Sequence, residues 1–425
     1  AASDVYKRQL IKPSDGFKSF ALAAVAELQA TAKKKKLAVE FMLGGSVAKG
    51  TNLQGDADVD IFARFDEKHR GDDLSGLLAP LLPNGTERIH GSRDYFQFKR
   101  QFDGQVITFE IVPVLMIDSP GKAANVTDMS PLHVTYVLGK MRKQPRLAAE
   151  IRLAKQFCKA AKCYGAESYL NGFSGHVIDL LVIHYGSFEQ LLAAAAKWKK
   201  QTVLDPAKHH GDPLFELNTS KRQGPLILVD PIQPERNAAA ALSEERYVRF
   251  IDAAKRYLKK PGDSFFAIVP LTPDEIRNSY NEKVKKKRFP ARTKLFLLRT
   301  DALEGKDDVA ATKLRLAHEH LVTHLKMHGF TLFEDGWEYV KRERNGLHWF
   351  VLKDETLSPT VERQGPPLAA KKNVASFRAA HPDAKEKGGR LYAKISRAYR
   401  TPEAFFKDAA KDPYLQERTK RVTAI

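Results

Sequence analysis

The chain has 425 residues, 43% of them hydrophobic. It is too long for one comfortable core, so two to four domains are expected. Lys and Arg number 70 against 51 Asp and Glu, a net charge of +19 that points to a polyanionic partner, a membrane surface being the other attractor of cations. No apolar run is long enough to span a bilayer, and no signal-peptide pattern is visible in the first residues. Ala1 to Gln9 carry no initiator methionine and leave the natural start open.

Apolar spacing predicts a first helix over Ser14 to Ala32 (Phe17, Phe20, Ala21, Val25, Leu28), with Ser14 and Asp15 near its start. Lys33 to Lys36 suit its C-terminus or face nucleic acid. Leu37 to Leu43 reads as a strand, and Gly44-Gly45 after it permits a tight turn and close backbone approach. Ser46 then sits where a short helical turn begins, so its hydroxyl and the free N–H groups behind it can hold a phosphate oxygen. Period-two apolar residues Val59, Ile61 and Phe62 predict a strand with Asp58 and Asp60 on one face.

An isolated Asp-x-Asp is usually the wet face of an edge strand. The Gly-Gly-Ser turn just before it weakens that reading, because two crowded carboxylates beside a phosphate-holding turn call for a divalent cation. Asp66 to Pro83 reads as a connection with a short helix, and Glu87 to Phe98 as a strand with a turn at Gly91. Phe102-Asp103-Gly104 turns into the β-branched run Gln105 to Val114, which Glu110 interrupts. That charge is best explained if the strand lies beside Asp58 and Asp60 and adds a third carboxylate. Three carboxylates on adjacent strands suit Mg2+, and two such ions about 4 Å apart can activate a hydroxyl and stabilise a leaving pyrophosphate. No Walker-type glycine loop is present. Arg93, Tyr95, Lys99 and Arg100 are expected to add cations and an aromatic ring near this site.

Asn125 to Val137 contains Asp128, Ser130 and His133, and a domain boundary is expected at residues 138 to 146. A histidine such as His133 is more often a packing or capping residue than a catalyst. Arg146 to Ala161 reads as a helix, Tyr164 to Glu167 as a turn, and Ser174 as the N-cap of a buried helix followed by another from Phe188. The cleft between these helices and the sheet is the default place for a substrate. Cys158 and Cys163, the two cysteines, lack companions at metal-ligand spacing and read as thiols of an intracellular, cytoplasmic protein. Leu226 to Pro231 reads as an extended piece, and Arg236, between a Pro-rich turn and a helix over Ser243 to Leu258, is a candidate for phosphate or base-edge contact.

Breaks at Pro261-Gly262 and at 270 to 273 lead into an α+β unit. Its expected elements are a strand over Thr293 to Arg299, a helix over Asp308 to Met327 and a strand pair, Leu332 to Val340 with His348 to Leu352. Gly365-Pro366-Pro367 marks a loop, and Tyr392 to Phe406 a basic terminal region. The basic runs Lys285 to Arg288 and Lys371-Lys372, with Trp349 and Phe350, are candidates for tracking an RNA backbone and stacking on bases; each is equally readable as a solvated surface feature.

This order of features resembles the archaeal-type, class I CCA-adding enzymes, tRNA nucleotidyltransferases of the DNA polymerase β-like superfamily, over nearly the whole chain. Gly45-Ser46, Asp58-x-Asp60 and Glu110 carry the superfamily's pattern. Tyr164 to Glu167, Gly172 to Gly175, Tyr185 to Phe188 and Asp230-Pro231 with Glu235-Arg236-Asn237 carry the narrower likeness.

The resemblance implies a multidomain α+β fold: a nucleotidyltransferase head at 1–140 on a mixed sheet, a helical central nucleotide- and RNA-binding domain at 141–265, and an α+β tRNA-binding body and tail at 266–425. It implies Asp58, Asp60 and Glu110 as catalytic metal ligands for two Mg2+ ions. It puts Gly45, Ser46, Lys49, Lys155 and Tyr164 around the triphosphate of CTP or ATP, and Ser130 and His133 beside the nucleotide. Arg236 would help RNA phosphates read the base edge. Relatives commonly have Glu at the place of Asp58, Asp at that of Glu110 and Arg at that of Lys49, and some have His where Arg93 stands.

The implied activity is template-independent addition of C, C and A to the tRNA 3′ end, the acceptor and TΨC arm being gripped by the basic last third, with no membrane partner. A homodimer is left open. The rival readings are a poly(A) polymerase or oligoadenylate synthetase-like enzyme, and a non-catalytic RNA-binding protein.

Overall fold

The computed structural model describes residues 11–14, 16–269, 271–290 and 292–425. Expectations that involve Ala1 to Gln9, Asp15 and Pro270 lie outside them. The chain divides into two compact units, Ala1–Val269 and Pro270–Ile425.

The first unit opens with helix α1 (Phe17–Lys34), shorter at its start than expected: Gly16, in the left-handed region at φ 102°, takes the N-cap position, and the Phe17 N–H bonds the Ser14 carbonyl (3.2 Å). Phe17, Ala21, Ala24, Leu28 and Ala32 form its buried stripe against a five-stranded sheet. Strands β1 (Val39–Leu43), β2 (Asp58–Phe65), β3 (Glu87–Ile89), β4 (Tyr95–Phe102) and β5 (Gln105–Leu115) pair in the order β1-β2-β5-β4-β3. Only β2 and β5 run parallel, which makes the sheet mixed. The β4–β5 hairpin turns through Asp103 and Gly104 with positive φ at both, the backbone that a two-residue hairpin needs. Helices α2 (Gly45–Lys49) and α3 (Leu74–Leu78) complete this layer.

Helices α4 (Ser130–Lys143), α5 (Leu147–Ala160), α6 (Gly175–Tyr185), α7 (Phe188–Ala195) and α9 (Glu244–Lys259) follow. Between α7 and α9 lie β6 (Thr202–Leu204), the short α8 (Pro213–Glu216) and β7 (Leu226–Leu228), with β6 and β7 a parallel pair. Three of the starts are set by serine N-caps: Ser174, Ser187 and Ser243 accept N–H bonds from Val177, Gln190 and Arg246. Phe157 of α5 is the hub of their core, in ring contact with Phe188, Phe250, Tyr257 and Phe266. Cys158 and Cys163 are both buried and unlinked. Among the described residues no single helix is long and apolar enough to cross a membrane.

The second unit holds α10 (Pro273–Lys285), β8 (Thr293–Ala302), α11 (Asp307–Met327), β9 (Leu332–Val340) and β10 (Asn345–Lys353). It continues with β11 (Thr360–Pro367), α12 (Lys371–Ala380), β12 (Lys385–Lys387), β13 (Arg390–Ser396), α13 (Pro402–Ala409), α14 (Pro413–Gln416) and β14 (Thr419–Ala424). An antiparallel sheet β14-β8-β10-β9 lies under α11, whose Leu321 and Leu325 share a core with Leu298, Phe350 and Phe406. A second sheet has the order β11-β13-β12.

Two sequence expectations change here. Gly365-Pro366-Pro367 ends β11 instead of forming a loop; the register shifts between Gln364 and Pro367, where the prolines have no N–H to give. Phe350 is fully buried in the core and so has no face to offer a base. By contrast Lys285, Lys286, Lys287, Arg288, Lys371 and Lys372 are all exposed.

Candidate active site

The parallel pairing of β2 with β5 decides where the acids meet. Asp60 is opposite Glu110 and Asp58 opposite Thr108, and residues two apart on a strand share a face, so the three carboxylates gather at one end of this strand pair. Asp58 is exposed, while Asp60 and Glu110 are half-buried. Burial, then Glu110, then Asp58 push the Asp60 carboxyl up from 3.8 to about 6, against the pull of Lys49 and Lys155. From β4, Gln97, opposite Glu110 in the ladder, donates Nε2–H to Glu110 Oε1 (2.5 Å) and holds that carboxylate in place.

The glycine turn serves the same carboxylate. Gly45 starts α2 at φ 55°, and a Cβ built on it would fall 1.7 Å from Asp60 Oδ2, so the close approach requires glycine. Gly45→Ala is therefore expected to lower activity by about 100-fold or more through displacement of Asp60. Its left-handed backbone should cost only roughly 1–2 kcal/mol of stability. Turnover and urea unfolding measured on one preparation separate the two effects. Ser46 is the next residue of α2, half-buried, its carbonyl accepting from Thr51 N–H (2.9 Å).

The cations come from the helical layer and the end of α2. Asp179, fully buried within α6, accepts from Lys49 Nζ (2.5 Å) and pairs with Lys155 Nζ (3.4 Å). Burial opposes its charge, but Lys155 and Lys49 outweigh burial and hold it below the usual carboxylate range. Lys155, itself buried and lowered by that burial, also donates to Thr51 Oγ1 (3.0 Å). Two ammonium groups on one carboxylate leave a net positive centre facing the acids. A Cβ on Gly175, the first residue of α6, would lie 3.1 Å from Tyr164 Oη and 3.7 Å from Lys155 Nζ, so the Tyr164 hydroxyl and this centre flank one glycine. Burial pushes the Tyr164 phenol up, which keeps it a proton donor.

A third group forms on Asp230, buried after β7. His133 Nε2 lies 2.8 Å and His176 Nε2 3.4 Å from its oxygens, Arg236 Nη1 is at 3.4 Å, and the Ile232 and Gln233 N–H groups donate to Oδ1. Burial opposes the Asp230 charge, yet the two histidines hold the carboxyl far below its ordinary range. Burial lowers His176. One ligand atom from each of His133, His176 and Asp230 lies within 4.8 Å of the others, a donor set open to a metal ion, although the Arg236 guanidinium already supplies positive charge there. Arg236 remains half-exposed at the rim. Ser130 is the first residue of α4, one turn before His133.

Not every expected cation reaches the site. Arg93 bonds Asp128 and donates to the Pro113 carbonyl (3.0 Å), and Asp128 also accepts from the N–H groups of Leu115, Ala124 and Asn125. It is a strut of the loop after β5, because a buried Asp128 needs a counter-charge. Arg100 pairs with Glu27 of α1 (2.6 Å).

Three family models match in chain order: "Nucleotidyltransferase domain" at 26–111, "tRNA nucleotidyltransferase, second domain" at 149–267 and "CCA-adding enzyme, C-terminal domain" at 292–415. The CCA-adding enzyme of Nanoarchaeum equitans is 31% identical over 85% of this chain and 84% of its own. The chain belongs to the CCA-adding enzyme family. That of Methanosarcina acetivorans is 28% identical over 94% of this chain and 87% of its own. The Cid1 poly(U) polymerase with Mg and 3′-dATP bound has the same fold in its 63% overlap with this chain, which covers 98% of that structure (TM-score 0.52, 15% identity). As a member of this family, within the DNA polymerase β-like superfamily, the protein is a nucleotidyltransferase that adds nucleotides to RNA 3′ ends.

Against this family background, the residues that sequence reading left without a role are Asp179, Gln97, His176 and Asp230. Asp179 had a visible signal: an acid inside the apolar run Val177 to Ile183 is costly without a partner. Gln97 had none, since its partner depends on strand order.

Proposed function

We propose that this nucleotidyltransferase adds C, C and A to the 3′ end of tRNA from CTP and ATP, without a nucleic-acid template. The observation that carries the chemistry is the raised carboxyl of Asp60 between Glu110 and Asp58, facing the Lys49–Lys155 pair on Asp179. The preference for C, C and A rests on the likeness to CCA-adding enzymes along 85% and more of the chain.

Asp58, Asp60 and Glu110 form an all-oxygen donor set whose mutual repulsion a hard divalent cation would relieve, so they fit Mg2+ and would hold it. When bound, Mg2+ would supply Lewis-acid activation of the attacking hydroxyl and charge stabilisation for the leaving pyrophosphate. Lys49 and Lys155 bind the triphosphate oxygens, with Asp179 keeping both ammonium groups oriented before the nucleotide arrives. Tyr164 donates its hydroxyl proton to a phosphate oxygen, and Ser46 offers its hydroxyl at the start of α2. His133, held by Asp230, and Arg236 at the rim face the base edge, with Ser130 beside them. In the second unit the exposed run Lys285 to Arg288 and Lys371-Lys372 grip RNA phosphates, giving binding that weakens steeply with salt.

The test uses purified protein, labelled CTP and ATP, and tRNA lacking its terminal CCA. Products lengthened by C, C and A in order are expected. Long A tails would assign a poly(A)-type activity, and binding of tRNA with no nucleotide incorporated would make the protein a non-catalytic RNA binder.

A further inference from the structure

The second unit carries a cluster with no part in the chemistry above. Helix α11 places His320 and His324 four residues apart, and its C-cap His328 continues the spacing, so one face bears a stripe of imidazoles. The rings of His320 and His324 are 4.0 Å apart, and that of His328 lies 6.3 Å beyond His324, turned edge-on to Tyr399. Opposite them Asp412 caps α14. Its Oδ1 accepts the N–H of Tyr414 (2.8 Å) and of Leu415 (3.4 Å), which leaves Oδ2 aimed at His320 Nε2, 2.8 Å away.

The ring of His320 is fixed from both sides. Tyr414 stacks flat on it at 4.3 Å, and Arg418 covers the far face of Tyr414 at 3.5 Å. One ligand atom from each of His320, His324 and Asp412 lies within 4.8 Å of the others. In a tetrahedral zinc site with bonds near 2.0–2.1 Å, ligand atoms are roughly 3.3 Å apart, so closing the set needs only small side-chain rotations. Two imidazoles at i and i+4 on a helix with one carboxylate suit a borderline transition ion far better than Mg2+, which prefers oxygen alone. The carboxylate is already oriented by backbone donors, the outer-shell support that such sites use.

We propose that His320, His324 and Asp412 form a binding site for a divalent transition ion of the zinc class, with the fourth position taken by water. The ion replaces the His320–Asp412 hydrogen bond, the Nε2 proton moving to Nδ1 or leaving to solvent. It fastens α11 to α14 and hence to β14, the strand that closes one edge of the sheet against β8. The site is distinct from the carboxylates of β2 and β5 in residues and in ligand chemistry.

The experiment uses the full chain, stripped of metal by chelation and kept in millimolar Mg2+ so that an oxygen-ligand site is filled. Zn2+ is titrated by calorimetry, thermal melting is followed with and without it, and Co2+ is used as a spectroscopic probe. Wild type should bind one Zn2+ with micromolar or tighter affinity at this cluster, melt several degrees higher with it, and give the intense visible bands of tetrahedral Co2+. His324→Ala leaves the His320–Asp412 bond and the Tyr414 stack in place, and should weaken that binding by more than about 100-fold, beyond the loss of a mere outer-shell partner. Asp412→Asn, which keeps an oxygen for the cap, should do the same. Zinc binding unchanged in both variants, absent from wild type, or lost in His176→Ala but kept in His324→Ala overturns the proposal.

Discussion

Asp60→Asn is expected to reduce nucleotidyl transfer by about 1,000-fold or more, since loss of a shared metal ligand forfeits several kcal/mol of transition-state stabilisation and each 1.36 kcal/mol is tenfold in rate. Single-turnover addition to tRNA lacking CCA, with saturating nucleotide, measures it. Undiminished transfer would remove Asp60 from the metal site. The same substitution has an opposite effect on stability. The folded carboxyl binds its proton more tightly than the unfolded one, at about 6 against 3.8. Stability is therefore lost as pH rises through that window, by about 3 kcal/mol once pH exceeds both values. Without divalent ions, Asp60→Asn should melt higher than wild type at pH 7.5 and close to it at pH 3.5. Mg2+ should raise the wild-type melting temperature at pH 7.5 and do little for the variant. An inactive variant that is more stable than its parent distinguishes a functional acid from a structural one.

Asp179→Ala is the second large effect, and it acts first on the fold. Removing one partner from a fully buried ion pair leaves the other charge uncompensated, here Lys155, which is buried alongside Lys49 with only a tenth of its side chain exposed. A loss of roughly 3–5 kcal/mol in urea unfolding is expected. Lys155→Met placed on top of Asp179→Ala should recover part of that loss, because the orphaned charge is then gone. Strict additivity of the two losses would contradict the pairing. Transfer by Asp179→Asn, which retains the shape, should show a raised KM for CTP and ATP with a smaller change in kcat, the signature of lysines no longer held in place before binding.

Much of the candidate site is readable in the sequence because it is local. Gly44 to Ser46 and Asp58-x-Asp60 lie close together in the chain, and both are within the reach of backbone geometry: a positive φ that Gly45 adopts cheaply, and a period of two that puts both aspartates on one face. Glu110 is inferable as well, since a charge in a β-branched run demands partners. The loop and base-stacking expectations in the second unit fare worse. A Gly-Pro-Pro triplet reads as a loop, yet an edge position lets β11 tolerate it, and aromatic residues beside basic runs read as stacking surfaces, yet Phe350 faces the core.

The glycine turn, the acids, the serine cap of α6 and a surplus of cations for a polyanion are all legible from the order of residues alone. Which charge answers which depends on the folded arrangement. Lys49 finds Asp179 from 130 positions away and His133 finds Asp230 from 97, while Arg93, expected near the site, is committed to Asp128. The physical reason is that Coulomb attraction and hydrogen bonding act over a few ångströms of space, and the path that brings distant residues that close is set by strand order and helix packing, which no local pattern of residues encodes.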